Sequence, residues 1–282
     1  MYTQYMFNSL IINPAYAGSQ ESLSLTCLAR RQWVGLTGAP TTETFSVHTP
    51  IRNQRVALGF LFAHDKIGVT NQYDAKATYA YRLPLGKGKL SLAVQGGISN
   101  YDIAYSKLFM GSSGFPDPSF SQDVKVLKPN VGAGAYYYTD RFYLGLSVPQ
   151  LFAPKIFRET DNSYVLQERH YFISSGVVVD LNRSLKLKPN TLIKIVQGVP
   201  VQVDINANLL IKEVLWVGAS YRSFESVSTL LELQLTDQLR FGYSYDFSVT
   251  SNLRSANVGS HEIMLNYRFT FYKQNVACPR YF

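Results

Sequence analysis

Near the C-terminus the chain reads Ser260-His261-Glu262-Ile263-Met264-Leu265-Asn266-Tyr267-Arg268-Phe269-Thr270-Phe271. Ile263, Leu265, Tyr267, Phe269 and Phe271 alternate with Glu262, Asn266, Arg268 and Thr270, so an extended chain carries one apolar, increasingly aromatic face and one charged face. A two-residue period sustained this long fits the wall of a transmembrane β-barrel, with hydrocarbon outside and a polar lumen inside. The same pattern recurs along most of the chain.

At 282 residues a single barrel domain is reasonable. Aromatic residues make up 14% of the sequence, with 20 Tyr and 17 Phe against 2 Trp, which suits strands and interfacial rings. No run of about twenty apolar residues occurs, which excludes a helical span; a barrel hides its membrane character because only alternate residues face lipid. The opening Met1-Tyr2-Thr3-Gln4-Tyr5 lacks the basic and apolar segments of a secretory signal, and the chain reads as a form whose signal has been removed. The net charge of +8 comes from scattered Lys and Arg with no basic stripe, so it points to lipid headgroups, lipopolysaccharide and lumen pairing and not to nucleic acid. Cys27 and Cys278 have no metal-type spacing; barrel closure brings the two ends of the chain together, which leaves a disulfide between them open.

Alternating runs give about fourteen antiparallel strands. The clearest are 73–83, 90–98, 201–211, 227–235, 239–247 and 263–271; weaker ones lie near 23–34, 42–49, 56–63, 131–138, 142–148, 171–181, 185–195 and 215–221. An even count places both termini on one side, the periplasmic side of an outer-membrane barrel. Every second connection is then short, whereas the long segments 100–128, 149–168 and 248–259 fall on the external side, rich in loop formers. Tyr81, Phe142, Phe241, Phe269 and Phe271 share outward parity near the short-turn ends, either as an interfacial girdle or simply as strand formers. The expected division is an N-terminal segment 1–20, a barrel over 21–272 and a tail over 273–282.

Inward parity carries Asp74, Lys76, Arg82, Asp204, Glu232, Arg240, Asp246, Glu262 and Arg268, charges that hydrocarbon would not tolerate. Mixed signs predict a lumen crossed by ion pairs in place of a one-sign selectivity ring. A lumen of this width needs filling. The nearest candidate is the N-terminal block containing Tyr5, Met6, Phe7, Asn8, Leu10, Ile11, Ile12, Asn13, Pro14 and Tyr16, apolar without clean alternation. It reads as a partial plug, with a periplasmic docking surface as the alternative.

That block, ending Asn13-Pro14-Ala15-Tyr16-Ala17-Gly18, together with Arg31-Gln32-Trp33-Val34-Gly35, Gly38-Ala39-Pro40-Thr41-Thr42, Asp65-Lys66-Ile67-Gly68-Val69-Thr70, the final strand and Pro279-Arg280-Tyr281-Phe282, resembles the PorP/SprF family of Bacteroidota outer-membrane proteins. The resemblance implies an outer-membrane component of the type IX secretion and gliding machinery that works through protein partners: an exported surface protein, periplasmic lipoprotein components, or other parts of the machine. Membership in another outer-membrane assembly complex and a passive or lipid-type channel are the alternatives. The candidate partner surface lies on the external loops, at Trp33, Tyr101, Tyr105, Phe109, Phe115, Phe120, Phe152, Phe157 and Tyr164, although a Trp at such a turn is more often a lipid-interface anchor.

Catalytic and cofactor signatures are lacking in the sequence. His48, His64, His170 and His261 are isolated, no metal or phosphate-loop spacing occurs, and the lone His64-Asp65 couple has no companion nucleophile. No enzymatic activity and no cofactor are expected.

Overall fold

The computed structural model describes residues 1–51, 54–107, 123–152, 155–158, 163–166, 168–249, 258–269 and 281, with 155–158 and 163–166 as backbone. The wall begins with β1 (Leu23–Arg31), β2 (Thr41–Ile51), β3 (Val56–Ile67), β4 (Thr70–Leu85), β5 (Gly88–Ile103), β6 (Val124–Tyr138) and β7 (Phe142–Val148). A small separate hairpin follows, β8 (Lys155–Arg158) with β9 (Ser163–Leu166). The wall resumes with β10 (His170–Val177), its continuation β11 (Val179–Asp180), β12 (Leu185–Val196), β13 (Gln202–Ile211), β14 (Leu215–Arg222), β15 (Ser226–Gln234), β16 (Leu239–Ser248) and β17 (Ser260–Phe269).

Each wall strand pairs antiparallel with its neighbours; β17 closes on β1, and β10 bridges β7 to β12. Taking β10 and β11 as one strand interrupted at Val178, the molecule is a closed barrel of fourteen strands, the architecture the alternation predicts. Closure removes the sheet edges that hydrocarbon would leave unsatisfied.

Alternation dictates what each face holds. On β4, Tyr73, Tyr79, Tyr81 and Leu83 are exposed outside while Asp74, Lys76, Thr78 and Arg82 are buried inside. On β17, Ile263 and Leu265 face out and Glu262, Met264 and Asn266 face in. Tyr81, Phe142 and Phe269 are exposed on the outer face, Phe241 is half-buried, and Phe271 lies outside the described residues. Cys27 is also exposed on the outer face; Cys278 lies outside the described residues.

Several strands run further than the sequence suggests. The ladder of β4, β5 and β6 continues until Thr70, Ile103 and Val124 stand side by side, so Tyr101, expected in an external loop, belongs to β5 and is buried. The reason is local: Tyr101, Ile103, Val124 and Val126 are good strand formers placed opposite one another, and pairing extends as long as both partners supply such residues.

Candidate functional site: the barrel interior and its two mouths

Residues 3–20 run through the inside of the barrel, all buried except the half-buried Ile11. Two 3-10 turns, Ser9–Ile11 and Pro14–Tyr16, shape this segment. Asn13 caps the second by accepting from the Ala15 amide, and Pro14 at its first position loses no hydrogen bond. A strand is ruled out here, because the apolar residues must face both halves of a lumen in place of one sheet face.

One end of the segment is held by charge. Glu262 of β17 accepts the Thr3 and Gln4 amides at 3.0 and 2.8 Å. Arg30 of β1 donates to Glu262 at 3.0 Å, to Asp246 of β16 at 2.5 Å and to the Thr3 hydroxyl at 3.0 Å. The Thr3 hydroxyl in turn donates to Asp246. Beside it, Arg222 pairs with Asp204 at 2.9 Å, and the Ser220 hydroxyl donates to the same carboxylate at 2.6 Å. Buried charges survive only when paired and bonded in this way.

Further along, Asn206 donates to the Tyr5 hydroxyl at 2.7 Å and Asn8 to Ser46 at 3.0 Å. Ser147 donates to the Ile12 carbonyl at 2.7 Å, while the Asn13 amide reaches the Ala135 carbonyl at 3.1 Å. The Gly18 amide bonds His48 Nδ1 at 3.1 Å, and Arg82 donates to the Gly18 carbonyl. Strands from all round the wall hold the segment.

Apolar packing fills the remaining space. Tyr5, Met6, Phe7 and Ile12 join Leu28, Leu192, Leu210, Trp216, Leu230 and Met264. Leu10, Ala15, Tyr16 and Ala17 join Ala57, Ala80, Ala93 and three tyrosines, Tyr136, Tyr138 and Tyr143. Small wall residues make room: a Cβ at Gly134 would stand 2.2 Å from Asn13 Oδ1, and one at Gly242 would stand 2.1 Å from Gln4 Oε1. Lys188, buried on β12, lies 5.5 Å from the Phe7 ring centre and 5.6 Å from that of Trp216.

The two rims differ. One carries only short turns, such as Gly86-Lys87, Thr139–Arg141 and Lys212–Val214. Tyr281 lies at this mouth, its carbonyl accepting from Lys188 at 2.5 Å and its ring 4.6 Å from Lys186 Nζ. The other rim carries the long connections and a cavity of about 290 Å³ lined by Tyr2, Ile11, Asp65, Asp74, Lys76 and Lys194 among others. Met1 lines the mouth there with Val199, Phe224 and Glu225. In the turn after β14, burial alone would raise the Glu225 carboxyl, but Arg222 outweighs it and holds the group below the ordinary carboxylate range.

Both termini were expected on one side; β1 does start and β17 does end at the short-turn rim, but Met1 stands at the opposite one. The segment crosses the whole lumen because its apolar residues are buried only by spanning it.

The charged wall residues named from the sequence fall as follows. Asp74, Lys76, Arg82, Asp204, Glu232, Asp246 and Glu262 are buried inside; Arg240 is half-buried beside Glu232 at 3.3 Å, and Arg268 half-buried beside Asn266 at 3.2 Å. Arg30, Lys188 and Arg222 were missed, although inward parity on β1, β12 and β14 marks each of them. Of the aromatic loop candidates, Trp33 is half-buried, its amide donating to Ser260 at 3.1 Å. Tyr105 is half-buried in a 3-10 turn, and Phe152 is 57% exposed. Phe157 and Tyr164 pair across the β8–β9 hairpin, and Phe109, Phe115 and Phe120 lie outside the described residues. His64 and Asp65 point to opposite faces: the ring stacks on Tyr73 at 4.4 Å, whereas the carboxylate accepts from Thr42. Among the described residues no group of three His, Cys, Asp or Glu side chains could hold a metal.

The fold is shared with outer-membrane barrels of little sequence similarity. The P. putida toluene transporter TodX superimposes with a TM-score of 0.52 at 10% identity, covering 94% of each chain. The CymD monoaromatic hydrocarbon channel gives 0.51 at 10% identity, covering 95% of this chain and 93% of the other. No curated protein matches the sequence. The family model for the type IX secretion system membrane protein PorP/SprF matches residues 1–267, and the chain belongs to that family and to the outer membrane.

Proposed function

We propose that this PorP/SprF protein is a closed, partner-bearing barrel of the type IX machinery: its N-terminal segment plugs the lumen, and its long-loop rim, facing the exterior, receives or anchors an exported surface protein. The observation that carries this reading is the occupied interior. Residues 3–20 share hydrogen bonds with Arg30, Ser46, Arg82, Ser147, Asn206, Asp246 and Glu262, an arrangement suited to a permanent filling and costly for an open conduit. Lumen charges of both signs locked in pairs fit a structural interior better than an ion path. The secretion family supports work through partners, with periplasmic machine components as the partners expected at the short-turn rim.

The hydrocarbon transport named for TodX and CymD gives a second reading, a passive channel, with the shared fold as its support. Planar-bilayer recording separates the two. The intact chain should be silent, and a chain lacking residues 4–18 should show steady conductance; steady conductance from the intact chain would favour the channel. Co-purification from native membranes should then recover secretion components with the intact chain.

A further inference from the structure

Among the described residues a long gap in the wall's pairing lies on one side of β6. Strand β6 pairs with β5 over its full length, Val124 to Tyr138, but β7 accompanies it only from Ala133 to Tyr138, with one further bond from the Leu151 amide to the Val131 carbonyl at 2.7 Å. Beyond Val131, no described strand pairs with the other side of β6. Since the Val131 carbonyl points toward β7, the backbone groups of Lys125, Leu127 and Pro129 point the same way, because NH and CO directions alternate along a strand. Among the described residues this edge has no partner, and it offers amides at Lys125 and Leu127 and carbonyls at Lys125, Leu127 and Pro129.

Proline explains why β7 does not close this gap. Pro129 has no amide to give, and Pro149 occupies the position where β7 would continue. Counted from Tyr138 at the short-turn rim, Val131 is the eighth residue, and about nine to eleven residues cross the hydrocarbon layer. The open edge thus lies at or beyond the outer interface, where an unpaired edge is tolerated.

Side chains around the break indicate an occupant. Asn130, on the inner face beside the edge, is 7% exposed and its Oδ1 has no partner. Lys128 is half-buried next to it, and the exposed Arg169 donates its Nε–H at 2.8 Å to the carbonyl of Leu151, the residue whose amide bonds Val131. Neither cation has an ion pair among the described residues. Leu127 and Phe152, 62% and 57% exposed, flank the opening.

We infer that the edge of β6 from Lys125 to Pro129 is a docking site at which an extended segment of an exported polypeptide adds a strand, with acidic side chains directed at Lys128 and Arg169. Strand addition uses main-chain hydrogen bonds for affinity and alternate side chains for selection, which suits a receptor for varied clients. This rests on the reading that the barrel serves exported proteins.

The test uses the full chain in lipid nanodiscs and a short fluorescent peptide of alternating Val and Thr with two Glu, against the same peptide with Lys replacing Glu. The acidic peptide should bind saturably and slow hydrogen exchange at the Lys125 and Leu127 amides, with the Lys peptide weaker. Leu127→Pro removes an edge amide without touching the β5 ladder and should weaken binding about three- to tenfold, the worth of one hydrogen bond. Asn130→Ala should weaken it without altering heat stability. Absent binding, unchanged affinity in both variants, or Lys125 and Leu127 amides already protected in the free chain, whether by the chain's own residues or by a second copy, would overturn the site. Should the peptide fail while secretion components still co-purify, the edge falls and the partner-bearing reading stands.

Discussion

Arg30 shows how one side chain couples the closing seam of the barrel to its contents. It lies on β1, reaches Glu262 on β17 and Asp246 on β16, and touches Thr3 of the N-terminal segment. Replacing it by Met leaves two carboxylates buried without a cation, and losing one partner of a buried ionic cluster costs about 3–5 kcal/mol. Arg30→Met should therefore lower the unfolding midpoint of the detergent-solubilised barrel sharply, whereas Arg31→Met, on the exposed face of the same strand, should change it by less than about 1 kcal/mol. Denaturant titration read by the mobility of folded and unfolded bands checks both; equal effects would mean that Arg30 is not bound as described. Glu262 adds a second role, because it accepts two consecutive amides of the segment.

At the scale of elements, the contact of the segment with β6 and β7 is the most sensitive to volume. Gly134→Ala places a methyl against Asn13, and overpacking of this kind costs about 1–3 kcal/mol. Asn13→Ala removes the clashing atom, so in the double variant the cost of Gly134→Ala should shrink by more than about 0.5 kcal/mol; additive effects would show that the two residues do not meet. The wall strands were legible in the sequence because lipid and lumen impose opposite demands on alternate residues, as with Ile263 against Glu262. Strand ends were less so. Tyr101 looks like a loop residue until its partners on β4 and β6 are known, since pairing is a property of two strands. The break beside β6 was invisible for the same reason, although Pro129 and Pro149 are the residues that cause it. The N-terminal segment could be recognised as something other than a strand, but its direction could not, because Phe7, Leu10 and Ile12 require burial without saying which mouth they enter from.

For the whole molecule, that direction has a consequence. Met1 lies at the long-loop rim with Phe224 and Glu225, the segment descends past Ser46, Ser147 and His48, and the chain leaves the lumen beside Lys89, which pairs with Glu21, before β1 turns back up the wall. Glu262 and Arg30 place the anchor of the segment at the seam where β17 closes on β1. With the long loops facing the exterior, an epitope fused ahead of Met1 should be stained and removed by protease on intact cells, whereas the same epitope inserted between Gly86 and Lys87 should be reached only after the outer membrane is permeabilised. Protection of the first tag together with exposure of the second would invert the orientation. Protection of both would mean that the segment enters from the short-turn mouth, and the interior contacts of Thr3 and Gln4 would then have to be abandoned. Tagging a variant in which Glu262→Ala frees the anchor sharpens the test: staining ahead of Met1 should persist and the barrel should stay tight to small ions, because the start of the segment loosens at its own rim while the lower half stays packed around Tyr16.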